Sequence, residues 1–470
     1  MTRRLAAAAA AACLAAPLAA QQATLPPGPV VLTSGEILTG TAGTLTGERV
    51  PIPADARMQG FEKWWNGKSL ASGTINPVFE ARDALGEKGL ILEANYRGAF
   101  FGVLSAQGGP MASWLDQIDL GARIKPGEIP GLERLGALQA FVAFRYRDQA
   151  AQMNPNNAVQ AESMFNPTNW AVGRQFRLLS FGFEAGTRAL LPVEDMVVLR
   201  GGWLQPQREF IDQPLSKMFL NTAITSNKGI GGNIPFGSSF STWGGTLKLS
   251  LPADLYIKNG LFMSFPNASA SSNHGFSFRG NAANPSLNGL FYMGEAGATP
   301  KFGEQKLEGR FAFGAYFYGT PGGQTTTWSG NTAPGQYGFY FQADQRLTRE
   351  SGGDAAKPPR EGLSVFNLLT LSPGNAVENT FPLYFQSGLA YEGAIPGRDK
   401  DLAIAAIGYG VYERNSKPAR DYTAVVELGY RAQLGGWTYI QPYFQYLVRP
   451  NGTSQVANAA VIGFQTGVVF

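Results

Sequence analysis

Apolar and polar side chains alternate with period two along most of this chain, and the charged ones keep to one side of the alternation. At the C-terminus, Ile462, Phe464, Thr466, Val468 and Phe470 share one face, while Val461, Gly463, Gln465, Gly467 and Val469 share the other. Just before it, Ile440, Pro442, Phe444, Tyr446 and Val448 oppose Tyr439, Gln441, Tyr443 and Gln445. Further upstream, Ala424, Val426, Leu428 and Tyr430 oppose Val425, Glu427, Gly429 and Arg431. Near the start of the pattern, Leu92, Ala94, Tyr96 and Phe100 oppose Glu93, Asn95 and Arg97. A repeat of two is that of a β-strand, whose successive side chains point to opposite faces. One face then suits hydrocarbon and the other water. A Lys or Arg turned to lipid at the bilayer midplane costs about 2–4 kcal/mol, which this partition avoids. A soluble β-sandwich has the same period, so other features must separate the two.

Segments of this kind lie near 90–104, 115–124, 138–147, 175–186, 194–204, 245–252, 255–265, 289–297, 304–318, 336–348, 364–371, 382–392, 402–412, 422–433, 437–448 and 460–470. The count of about sixteen is even, as in bacterial single-chain barrels. Connections should alternate between short and long if both termini lie in the periplasm. The stretches 252–254, 298–303 and 434–436 fall in the short set, and 148–174, 205–244, 266–288 and 319–335 in the long set. The long ones are rich in Asn, Gly, Ser, Thr and Pro, which reads as exposed loop. The charged stretch 349–362 is longer than its place in the short set predicts. The expected fold is therefore all-β, a transmembrane antiparallel up-and-down β-barrel over residues 90–470. A terminal aromatic preceded by alternating apolar residues also resembles the signal by which outer-membrane barrels are recognised for assembly, so Phe470 predicts the barrel assembly machinery as a partner.

The first residues favour export. Arg3 and Arg4 precede an apolar run over 5–17 and the small residues Ala19 and Ala20, the layout of a cleavable secretory signal over 1–20. That run is too short for a membrane helix, which takes roughly 20 residues. The only cysteine, Cys13, sits inside it in a context that fits lipid attachment poorly, so no disulfide is expected in the exported chain. Residues 21–60 read as a linker, and 61–89 as a periplasmic segment. Asn76-Pro77, the early Glu80 and the late Lys88-Gly89 mark a short helix there.

Charge excludes some partners. The chain has 38 basic and 34 acidic residues, with no basic footprint for nucleic acid. Its single histidine, His274, has no second histidine or cysteine for a metal site, and no cofactor is called for. No Walker-type loop, His-Glu-x-x-His pair or Gly-x-Ser-x-Gly elbow is present. Asp399 and Asp401 are a carboxylate pair, but at a predicted turn.

Several stretches share a motif order with one known family. They are Trp64-Trp65-Asn66-Gly67, Arg82-Asp83-Ala84-Leu85-Gly86-Glu87-Lys88-Gly89-Leu90, Gln117-Ile118-Asp119-Leu120-Gly121 and Ala343-Asp344-Gln345-Arg346-Leu347. Then come Gly388-Leu389-Ala390-Tyr391-Glu392-Gly393, Pro396-Gly397-Arg398-Asp399-Lys400-Asp401, Glu427-Leu428-Gly429-Tyr430, Gln441-Pro442-Tyr443-Phe444-Gln445-Tyr446 and Arg449-Pro450-Asn451-Gly452. In these the chain resembles the OprB family of carbohydrate-selective outer-membrane porins. The resemblance implies a sixteen-stranded barrel in outer-membrane lipid that passes glucose and similar sugars by diffusion. Departures lie at Lys63-Trp64-Trp65-Asn66-Gly67, where the family has a Gly-Asp-Trp-Gly-Gly type stretch, and over 148–245.

A pore selects by width and by the groups lining it. The alternation nominates Glu93, Arg97, Arg123, Arg145, Arg147, Arg200, Glu308, Arg310, Asp344, Arg346, Glu392, Glu427 and Arg431 as lumen-facing. Both signs occur, which suits neutral polyhydroxylated solutes. Trp170, Trp243 and Trp328 fall in expected outer loops, where they can anchor, pack or meet sugar. Two other readings stay open: an exported β-rich glycoside hydrolase using two carboxylates, and a structural or adhesive outer-membrane barrel.

Overall fold

The computed structural model describes residues 81–82 and 84–470 apart from 136–137, 150–153, 161–162, 172–173, 188–195, 232, 234–240, 265–273, 280–287, 320–324, 327–331, 334, 351–360, 374–378, 414–418, 435–437 and 470. The expected signal, the linker, most of the periplasmic segment, Trp328 and Phe470 lie outside the described residues. Of the helix expected before the barrel, residues 81–82 and 84–86 are helical.

Sixteen long strands follow: β1 Leu90–Ser105, β2 Met111–Ile124, β3 Gln139–Gln149, β4 Gln175–Gly186, β5 Val197–Leu204, β6 Thr242–Leu251, β7 Leu255–Ser264 and β8 Gly289–Ala298, then β9 Leu307–Gly319, β10 Gly335–Arg346, β11 Gly362–Leu371, β12 Leu383–Glu392, β13 Leu402–Val411, β14 Tyr422–Gln433, β15 Thr438–Val448 and β16 Ala459–Val469. Each pairs antiparallel with its chain neighbours, and β1 pairs with β16 from Asn95↔Val469 onward. The sheet closes on itself and leaves no edge, which a membrane demands because lipid cannot satisfy a free backbone N–H or C=O. The stretch 349–362 is a longer connection on the short-turn side, where Leu347 and Glu350 still donate to the carbonyls of Leu363 and Glu361.

The two faces of the wall differ as the alternation requires. Along β15, Ile440, Pro442, Phe444 and Tyr446 are exposed while Tyr439, Gln441, Tyr443 and Gln445 are buried. Elsewhere Leu261, Leu290, Phe313 and Phe317 stand outside, with Phe313 58% exposed. A soluble fold would bury these groups and expose the glutamines. Here the order is reversed, so the outer face is built for hydrocarbon.

Glycine fits inside this wall for a steric reason. Inward-facing Tyr256, Tyr340, Tyr316, Tyr443 and Tyr439 sit directly across from Gly297, Gly314, Gly338, Gly463 and Gly467 on the adjacent strand. A Cβ at any of these glycines would come within 3.0 Å of the opposing ring. Each tyrosine thus lies flat along the wall over its glycine, keeping large rings out of the lumen.

One seam needs repair. β5 pairs only with 181–186 of β4, because the chain turns into the lumen after Leu204. The backbone of 274–278 covers the uncovered upper half of β4: Leu178 N–H donates to the His274 carbonyl at 2.9 Å, and Trp243 Nε1 to the Phe278 carbonyl at 2.9 Å. Beneath it the outward-facing Trp203 and Leu178 are buried against Phe181, Trp243 and Phe278. Trp243 is therefore part of this outer patch. His274, its Nδ1 2.9 Å from the Phe176 carbonyl, is a fastening of the same patch.

Substituting Phe313→Arg, near the middle of β9 on the outer face, should destabilise the folded barrel by about 2–4 kcal/mol. Urea titration in lipid vesicles, followed by heat-modifiable gel mobility, measures this. A variant as stable as the parent would contradict the outward assignment.

Candidate functional site

Two of the long connections do not behave as the solvated loops their polar composition suggests. Loop L3 connects β5 and β6, and its described residues 205–231 and 233 fold into the barrel. Its path is set by short turns: Pro206–Phe210 and Pro214–Met218 each begin with a proline, and Asn221 caps the turn Thr222–Thr225 by accepting from Ala223 N–H at 2.9 Å. Phe210, Ile211, Phe219, Leu220, Ile224 and Ile230 are all buried. So many large apolar groups mark a segment that packs rather than one in water. In loop L2, between β3 and β4, the described residues 154–160 and 163–171 follow it inward and bury Phe165 and Trp170.

The wall grips L3 along its length. Glu427 accepts the backbone N–H groups of both Leu220 and Asn221 at 2.8 Å. Gln441 donates to the Met218 carbonyl at 2.9 Å, and Gln445 reaches L2 at the Pro167 carbonyl at 3.0 Å. Gln213 of L3 donates to Asp344 at 3.2 Å and to the Asn367 carbonyl at 2.9 Å. Arg310 donates to the carbonyls of Phe210 and Asp212 at 3.0 and 3.1 Å, and Gln342 joins it on Phe210 at 2.9 Å. Arg200 pairs with Glu184 and with Glu209 of L3 at 3.1 and 3.2 Å. Tyr384 donates to the Ala223 carbonyl. These bonds answer the polar groups that L3 would otherwise leave buried without partners.

Charges divide around the ring. On β1–β4 the register lines up two inward rows, Asn95–Asp119–Arg145–Arg177 and Arg97–Gln117–Arg147–Gln175. Asp119 accepts from Arg97 at 3.0 Å, from Arg145 at 2.5 Å and from Gln117 at 2.7 Å. Arg147 donates to Gln117 at 2.8 Å and to the Asn169 carbonyl of L2 at 2.7 Å, and Arg97 lies 5.2 Å over the ring of Trp170. Arg208 of L3 adds a further guanidinium to this side, drawn down to about 10 by burial and by Arg145 and still charged at neutral pH. Glu295 and Asp344 lie on β8 and β10, across the ring, and Glu427 on β14, three strands from β1.

A barrel closed by sixteen strands, apolar outside and narrowed by an inward loop, is the geometry against which known proteins can be compared. The profile of the carbohydrate-selective porin, OprB family, matches residues 132–470. The chain belongs to this family. It is a sugar-passing porin of the outer membrane. Among solved structures, the high-pH structure of Pseudomonas putida OprB superposes with a TM-score of 0.71 at 21% identity, covering 83% of this chain and 96% of that one. Its low-pH structure gives 0.52 at 18% identity, covering 83% and 95%. At such identity these two support the fold alone. No curated protein matches in sequence.

The porin places the thirteen nominated residues in four settings. Asp344, Glu427, Arg310 and Arg200 face inward and hold L3. Glu93 pairs with Arg123 at 2.8 Å, Glu308 with Arg349 at 2.8 Å, and Arg346 with Glu392 at 4.0 Å, all toward the short-turn end. Arg431 donates to Gln441 at 2.7 Å and lies 4.1 Å over Tyr439. Arg97, Arg145 and Arg147 form the basic side. Alternation alone assigns Asp119 inward too, since it has the parity of Arg123. Arg177 escapes that rule because a bulge opposite Ala143 and Phe144 shifts the parity of β4. Arg208 has no strand pattern to reveal it. Among the described residues no group of three or more His, Cys, Asp or Glu is placed to hold a metal.

Replacing Glu427 by Ala leaves two buried N–H groups of L3 without an acceptor. Removing a hydrogen bond to a charged group costs about 1.5–3 kcal/mol. Single-channel current in planar bilayers should become larger and noisier as L3 loosens. Unchanged current would show that Glu427 does not hold the loop.

Proposed function

We propose that this porin passes glucose-like monosaccharides and short oligosaccharides by passive diffusion, with L3 setting the narrowest point of the lumen. The observation that carries the reading is the clamping of L3 by Glu427, Gln441, Gln213 and Arg310. A loop held at so many points narrows a wide barrel to molecular size without closing it by packing alone. Solute then meets hydrogen-bonding groups on both sides, including Arg97 and the ion pairs Glu93–Arg123 and Arg346–Glu392. Sugar hydroxyls can exchange water for these groups as they pass.

Catalysis has no place in this scheme. Asp119, Glu427, Glu209 and Glu295 are each committed to an arginine, a lysine or a loop backbone. A glycoside hydrolase needs two carboxylates set about 5–9.5 Å apart across an accessible bond. Asp401, of the pair noted in sequence, accepts from Arg398, Tyr430 and the Gln433 N–H and locks a turn. The C-terminal strand β16, with Phe470 next in sequence, would serve as the recognition element for barrel assembly.

Liposomes carrying the pure protein should swell faster in isotonic arabinose or glucose than protein-free ones, and more slowly as the sugar lengthens. Swelling no faster than that of empty liposomes would reject the reading.

A further inference from the structure

The outward face of β12–β16 is unevenly filled. The register sets Leu389, Ala405, Leu428, Phe444 and Ile462 in one row across the five strands, with an alanine between two leucines. One outward position nearer the short turns, Ala403 lies opposite Tyr430, and Pro442 opposite Phe464. Leu389, Leu428, Phe444 and Ile462 are exposed and stand up from the wall, whereas Ala403, Ala405 and Pro442 are short. Between them lies a groove of about 450 Å³, part of its floor supplied by Gly429 and Gly463. It belongs to the face built for hydrocarbon, and a void there forfeits the contacts of every group that lines it.

One end of the groove is polar. Tyr430 lines it, and its hydroxyl donates to Asp401 of the short turn 393–401 at 2.6 Å. Asp401 also accepts from Nε and Nη2 of Arg398, each at 2.8 Å, and Nη2 donates to the Gln433 carbonyl at 3.1 Å. Nη1 makes no hydrogen bond among the described residues, and the Arg398 side chain is 44% exposed. In the same turn Asp399 and Lys400 are exposed and Asp401 is buried. Short turns lie on the periplasmic side of such barrels. A guanidinium with an open N–H beside an apolar groove, at that level of the membrane, matches a molecule that joins an anionic head to a hydrocarbon tail.

We infer that this groove holds one phospholipid of the periplasmic leaflet, with an acyl chain over Ala403, Ala405 and Pro442 and its phosphate on Arg398. The chain supplies the contacts that the short side chains leave unmade, and the phosphate takes the N–H groups that Asp401 does not. Tyr430 spans the two parts, its ring against the tail and its hydroxyl on the carboxylate that orients Arg398. The inference depends on the outward face alone and is independent of what passes through the lumen.

The test is native mass spectrometry of the full exported chain, released from maltoside micelles to which phosphatidylglycerol or diacylglycerol of the same chain length has been added. The wild-type porin should keep one phosphatidylglycerol, half-saturating at a concentration about ten-fold below that for diacylglycerol. Arg398→Gln should erase this difference between the two lipids. Ala405→Phe fills the groove and should abolish retention of both, while Ala296→Phe, at an exposed position of β8, should leave it intact. Heat-modifiable gel mobility shows that each variant is folded. Glycerol phosphate should not displace the lipid; displacement would mean a site for phosphate alone and overturn the proposal. Equal retention of the two lipids by the wild type overturns it as well, as does retention that Ala405→Phe does not change. A lipid-free complex of two or more chains that Ala405→Phe breaks apart would assign the groove to a second copy and overturn it too.

Discussion

Turning every greasy side chain outward leaves the polar half of each strand inside, and a ring of inward Gln, Glu, Arg and Asp must then find partners. Water can serve some of them. In this barrel many are met by the backbone of L3 and L2, threaded through the lumen. The exchange is reciprocal: the loops bring carbonyl and N–H groups that have no sheet to join, and the wall brings side chains of matching kind. Neither half is stable alone, since a buried unpaired polar group costs about as much as a hydrogen bond. The partition that suits the membrane is also what holds the narrowing loop.

This reciprocity explains why the motifs shared with the family lie where they do. Gln441 and Gln445 of the Gln-Pro-Tyr-Phe-Gln-Tyr stretch hold L3 and L2, and Tyr443 between them lies over Gly463. Glu427 opens the Glu-Leu-Gly-Tyr stretch and holds L3 from the neighbouring strand. Asp344 receives Gln213, and Asp119 organises the arginines. Pro396 to Asp401 forms the turn that Asp401 locks. These stretches are legible in sequence, but their geometry is that of scaffolding for a constriction. Most of L3, which they hold, falls in 148–245, where the family resemblance is weakest.

The sequence reveals the strands because their information is local. Two-residue periodicity needs only neighbours, and all sixteen segments read from it coincide with strands to within a few residues. The course of L3 is different in kind. Leu220 and Glu427 are 207 residues apart, and no pattern within the loop names its partner. What the loop did carry was composition: Phe210, Ile211, Phe219, Leu220 and Ile224 are too apolar for an exterior loop, and the polar residues around them obscured it. The bulge in β4 hid Arg177 in the same way, since one extra residue reverses the parity on which alternation depends.

Charge balance therefore has to be judged in space. Counted along the chain, the nominated residues carry both signs and suggest a neutral passage. Placed on the ring, the arginines of β1–β4 gather together, with Glu295 and Asp344 across from them on β8 and β10 and Glu427 between on β14. The acidic side is largely neutralised or consumed: Glu295 by Arg310, Asp344 by Gln213, Glu427 by two backbone N–H groups. On the other side Asp119 is shared by Arg97 and Arg145, and Arg147 is held by Gln117 and the Asn169 carbonyl of L2. The polar groups of the wall are therefore spent chiefly on one another and on the loops, and their signs have to be read pair by pair in space.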